Sequence, residues 1–89
     1  MSEEKALVTI RNDVIHFRPI ARLKDLGRKL DVDIYLSYQG ETFSISSIIA
    51  ITAWELQRGC QIEVLVRGTG DVSSELRTIV AFVEGGWGE

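Results

Sequence analysis

The chain has 89 residues, 45% of them hydrophobic and 26% charged, with a formal net charge of −3 and a pI near 5.1. That is enough chain for one core and too little for two, the composition excludes disorder as the default, and the acidic balance argues against general nucleic-acid binding, which needs a basic surface. A single cysteine, Cys60, excludes an internal disulfide, and the absence of any run near the roughly 18 apolar residues of a membrane span, or of a signal-peptide apolar region after Met1, points to a cytoplasmic protein without membrane insertion.

Residues 5–11 alternate weakly and are β-prone, which places a first strand there. Asn12-Asp13 then turns the chain into a loop ending at His16, the only histidine, three positions before Pro19, the only proline. From Phe17 onward Ile20, Leu23, Leu26, Gly27 and Leu30 form an apolar stripe at helical spacing, with Arg18, Arg22, Lys24, Arg28 and Lys29 largely on the other faces. Proline is tolerated in the first turn of a helix, where its missing N–H had no partner anyway. Pro19 therefore sets the start of a first helix at about Phe17, and Asp31 ends it.

Residues 33–39 read as a second strand, and Gln39-Gly40 as a tight hairpin turn into a third over 41–45. The apolar run 48–56 is open between strand and helix on periodicity alone. Ser46-Ser47 as an N-cap before it and Gly59 as a stop after it favour a short helix. Residues 61–67 form a clear strand. After a loop at 68–71, Asp71 or Ser73 caps a last helix that puts Val72, Leu76, Ile79, Val80 and Val83 on one face. A single domain over 1–84 is followed by a Gly-rich end, 85–89, that reads as a mobile tail. The order β-α-β-β-α-β-α, with three amphipathic helices to be covered by one sheet face, predicts an α+β two-layer sandwich with mainly antiparallel strands.

The chemistry concentrates at His16. An imidazole at or beside the N-cap of the first helix faces unpaired backbone N–H groups at the positive end of the helix dipole, an arrangement suited to phosphate. Arg18, one step inside, adds a planar donor fork. A phosphate carried covalently on His16 would be stabilised from two directions, with Pro19 fixing the geometry. The alternative for a lone histidine is a cap or surface role. Five of the ten basic residues lie between Arg18 and Lys29; they form a solvated face or steer an acidic partner. No Cys/His/carboxylate spacing suggests a metal site, and no cofactor is expected. Cys60, at a loop–strand boundary, has no evident activator for nucleophilic catalysis.

Ile15-His16-x-Arg18-Pro19 resembles the active-site signature of HPr, the histidine phosphocarrier of the bacterial sugar phosphotransferase system. The resemblance extends over nearly the whole chain and implies a four-stranded antiparallel sheet with three helices on one face. A second block, Ser46-Ser47-Ile48-Ile49-Ala50, is similar to the family's start of the second helix. It implies that Ser47 matches the serine modified by an HPr kinase/phosphorylase in some bacteria, with capping as the competing role. Ile48, Ile49 and Ile51 correspond to the apolar docking patch, some of which must be core. An exposed Ile48 or Ile49 would be the interaction residue. The resemblance further implies a carrier that accepts phosphate from enzyme I on His16 and passes it to sugar-specific EIIA-type domains, a co-substrate more than a turnover catalyst.

The departures from the family pattern cluster at these blocks. Val14 stands where glycine is usual, which would strain a loop needing positive φ. Phe17 replaces a small residue beside His16, where its ring would shield the imidazole or offer a stacking surface. Ile49-Ala50 replaces Met-Gly, Thr52 replaces an apolar docking residue and Trp54-Glu55 replaces Leu-Gly. They motivate a second hypothesis, an HPr-like regulatory or adaptor module that binds partners without efficient phosphotransfer. A structural domain related to a larger phosphotransferase polyprotein ranks third.

Overall fold

In a computed structural model that describes residues 1–88, the elements follow the expected order. They are β1 (Ser2–Thr9), α1 (Phe17–Lys29), β2 (Asp33–Tyr38), β3 (Glu41–Ser44), α2 (Ile48–Thr52), β4 (Gln61–Gly68) and α3 (Ser73–Glu84). The four strands form one antiparallel sheet in the order β1-β4-β2-β3. The period of two sends Val8, Ile34, Leu36, Ile62, Val64 and Val66 to one face, all of them buried. Against that face lie Ile20 and Leu23 of α1, Ile51 of α2, and Leu76, Ile79 and Val83 of α3, forming one continuous core.

α1 realises the predicted stripe, with Pro19, Ile20, Leu23 and Gly27 buried and Leu26 and Leu30 packed at its margin. Gly27 has a packing reason. A Cβ there would lie 2.7 Å from Ile34 Cδ1, so the absence of a side chain lets α1 lie close on β2. β1 begins earlier than its own pattern suggests, because Ser2, Glu3 and Glu4 pair with Gly68, Arg67 and Val66. α3 starts where the Asp71 carboxylate accepts the Ser73 N–H at 2.9 Å. The Ser73 hydroxyl and backbone N–H hold that carboxyl below its ordinary range, and nearby Arg77 adds to the effect.

Two expectations are corrected. The second helix ends at Thr52, not Leu56. Glu55 adopts φ +52 and breaks the helix, while buried Leu56 gives its carbonyl to Ile15 N at 2.8 Å. The C-terminal end does not form a mobile tail over 85–88. Trp87 is 0% exposed within the core, its ring meeting Phe82 edge-on at 6.5 Å. The chain reverses there through Gly86, Trp87 and Gly88, all at positive φ, and the Trp87 N–H closes the turn on Phe82 O. Two of these three positions carry no Cβ penalty, which makes the reversal accessible. Glu89 lies outside the described residues.

Candidate functional site

His16 occupies the N-cap of α1 in extended conformation, φ −89 and ψ −177, and its side chain makes no capping hydrogen bond. The first turn contains no acidic residue, so no carboxylate of the helix itself offsets its positive end. His16, Phe17 and Arg18 are exposed and Pro19 is buried. Together they line a shallow concavity. Arg18 has no hydrogen-bond or ion-pair partner among the described residues, which leaves its guanidinium free to meet an anion. Phe17 is 62% exposed, so its ring stands beside the imidazole as a surface and is not folded into the core.

The histidine loop is held by pairing that its local sequence does not announce. Ile10 N donates to Cys60 O, Gly59 N donates to Ile10 O, and Ile15 N donates to Leu56 O. An isolated antiparallel bridge joins Val14 to Gln57. Exposed Asp13 and Arg58 form an ion pair at 2.6 Å, worth little on the surface but consistent with the register. The segment that follows α2 is thus the floor on which the loop lies. Val14 is not at positive φ, and the bridge with Gln57 gives it extended company, so valine sits there without the strain expected of it. Near the site the positive φ falls instead on Glu55, in the Trp54-Glu55 pair.

α2 packs beside α1 and carries the second block. Ser47 is at its N-cap, yet its hydroxyl makes no capping bond; Ser46 N instead bonds the Ser44 hydroxyl at 3.2 Å. Ile49 is 87% exposed, whereas Ile48 packs against the core. The Thr52 hydroxyl turns back to Ile48 O at 2.8 Å. Of the candidate docking residues, Phe17 and Ile49 therefore face solvent, Ile48 and Thr52 are largely taken up internally, and Ile51 is buried in the core. Among the described residues no group of His, Cys, Asp and Glu is arranged to hold a metal ion, and no helix is long and apolar enough to cross a membrane.

Sequence reasoning missed two contributors. Asn12 Nδ2 donates to Gly86 O at 2.9 Å, and Arg22 Nη1 lies 3.5 Å from Trp87 O. The available signal was the lone tryptophan in a glycine-rich end, an expensive residue to leave in solvent.

Fold and site together define a small α/β sandwich that presents one histidine at an uncapped helix N-terminus. A family model described as the PTS HPr component phosphorylation site matches residues 4–84. The chain belongs to the HPr family of the phosphotransferase system, and membership supports a phosphocarrier role in that system. Among solved structures, the phosphocarrier protein HPr from Bacillus anthracis str. Ames is 21% identical with a TM-score of 0.75, over 93% of this chain and 99% of that one. HPr-C-His from Thermoanaerobacter tengcongensis is 20% identical with a TM-score of 0.68, over 100% and 98%. These two likenesses bear on the fold.

Proposed function

We propose that the protein carries a phosphoryl group on His16, taking it from phosphorylated enzyme I and passing it to sugar-specific EIIA-type domains. The observation that carries this reading is His16 exposed at the uncapped N-terminus of α1, whose first turn holds no acidic residue, with Arg18, unpartnered among the described residues, two residues on. In the transfer, a lone pair on a ring nitrogen of neutral His16 attacks phosphorus. A new N–P bond forms as the donor's bond to phosphorus breaks, and the donor atom keeps that electron pair. By family resemblance the nitrogen is Nδ1. The helix dipole and the Arg18 fork stabilise charge on the equatorial oxygens, and buried Pro19 keeps the first turn rigid beneath them. Phe17 and Ile49 supply the apolar contacts of the docking surface, with the basic residues of α1 around them. The Ser47 hydroxyl, unused in capping, suits modification by an HPr kinase/phosphorylase, where added charge would alter docking more than folding.

The test is incubation with enzyme I and phosphoenolpyruvate from the same organism, followed by mass spectrometry for an acid-labile phosphate. The expected label is absent in His16→Ala. A wild-type protein that takes no label refutes the carrier and leaves the adaptor module, whose exposed Phe17 and Ile49 would then serve binding alone.

A further inference from the structure

The histidine loop is gripped from a second side, by the end of the chain. Asn12, four residues before His16, donates through Nδ2 to Gly86 O at 2.9 Å, while its Oδ1 is shut off from solvent. Gly86 belongs to the turn anchored by Trp87, whose ring is wholly buried. That turn also lies on α1. A Cβ on Gly88 would come within 3.4 Å of the Arg22 Cδ, and Arg22 reaches towards Trp87 O. The turn therefore touches both the loop that leads into His16 and the helix that follows it.

We propose that the C-terminal turn, residues 85–88, is a clamp that positions His16, with Trp87 as its anchor and Asn12 as the positioning residue that joins it to the loop. This rests on the phosphocarrier reading for its functional consequence, but not for its structural one. The 56–60 segment bonds the loop through backbone groups at Ile10, Val14 and Ile15; between them, Asn12 is the position where a side chain fixes the turn. Releasing it frees the loop's lateral placement relative to α1 and lets the Ile15 pairing at its end open more often. The imidazole then samples orientations away from the first-turn N–H groups and Arg18, and the fraction of encounters that transfer phosphate falls. Docking is unaffected, because Phe17 and Ile49 lie on helices that keep their places.

The experiment pairs amide hydrogen exchange by NMR with phosphorylation kinetics on the full chain. Asn12→Ala should raise exchange about tenfold or more at the hydrogen-bonded amides of Ile15, Gly86 and Trp87 together, with β2 and β4 amides unchanged, as local opening requires. It should lower kcat for phosphorylation by enzyme I about tenfold and leave KM unchanged. Trp87→Ala should show the same two signatures after correction for its lower global stability, and Trp87→Phe, which keeps an anchoring ring, should restore both. A merely structural role would raise exchange throughout the sheet and would not split kcat from KM. Unchanged exchange at Ile15 in Asn12→Ala overturns the clamp, and faster exchange there with unchanged kcat overturns its positioning role. A wild-type protein that accepts no phosphate defeats the carrier reading by itself, and the exchange measurements still decide whether the clamp exists.

Discussion

Trp87→Ala tests how far the last residues belong to the fold. The Trp87 ring is 0% exposed, and a tryptophan buries roughly 150–250 Å², which at about 25 cal/mol/Å² corresponds to about 4–6 kcal/mol. Two corrections lower that figure. The extended-chain reference overstates the area removed from water. The indole Nε1 is also buried without a partner among the described residues, so deleting it removes a penalty of about 1–3 kcal/mol. The net expectation is a loss of about 2–4 kcal/mol, close to the range for large-to-small aromatic substitutions in cores. For a domain of this size, whose whole stability is about 4–13 kcal/mol, that is a large share. Urea unfolding followed by far-UV circular dichroism reads it as a lower midpoint, and thermal unfolding as a fall of roughly 15 °C. Trp87→Phe keeps most of the ring area and removes the unpaired donor, so it should cost under about 1.5 kcal/mol. Truncation after Glu84 should cost at least as much as Trp87→Ala. A loss below about 0.5 kcal/mol in Trp87→Ala would refute the burial argument and return residues 85–88 to a frayed end.

The other substitutions separate stability from function. Arg18→Ala should slow phosphoryl transfer to His16 about tenfold to a hundredfold in a rapid-quench assay, as for loss of a charge-stabilising donor, with no change in unfolding midpoint because the side chain is exposed and unpartnered. Ile49→Asp, at 87% exposure, should change stability by less than about 0.5 kcal/mol but weaken enzyme I binding about tenfold or more by calorimetry. Glu55→Gly relieves a positive φ of +52 and should stabilise by about 0.5–1 kcal/mol in urea unfolding, the opposite of a typical surface glycine substitution. Asp71 has a lowered folded-state pKa through the Ser73 hydroxyl and N–H, so its contribution is present above the ordinary carboxylate pKa and lost as pH falls through the lowered one. Asp71→Asn should keep much of the capping and flatten the acid limb of a thermal-stability profile against pH; an unchanged limb would assign that limb to other carboxylates.

Features that depend on local pattern and residue chemistry are legible along the chain. The periods of two and 3.6 place the strands and the first and last helices, Ser46-Ser47 and Gly59 favour the short second helix, and Pro19 starts α1 at Phe17 because a ring without an N–H is harmless only in a first turn. The His16-x-Arg18-Pro19 constellation was legible for the same reason, since three neighbouring residues carry the whole arrangement. The tertiary structure decided what depends on distant partners. Residues 53–56 leave the helix because Leu56 bonds Ile15, a contact no window over the apolar run contains. Ile48 and Ile49 are indistinguishable in sequence, and only the direction in which α2 meets α1 turns one inward and the other out. Trp87 is flanked by glycines that read locally as flexible, yet its ring is wholly buried in the core and meets Phe82 of α3 edge-on, and dispersion and apolar burial there hold the turn against its conformational entropy.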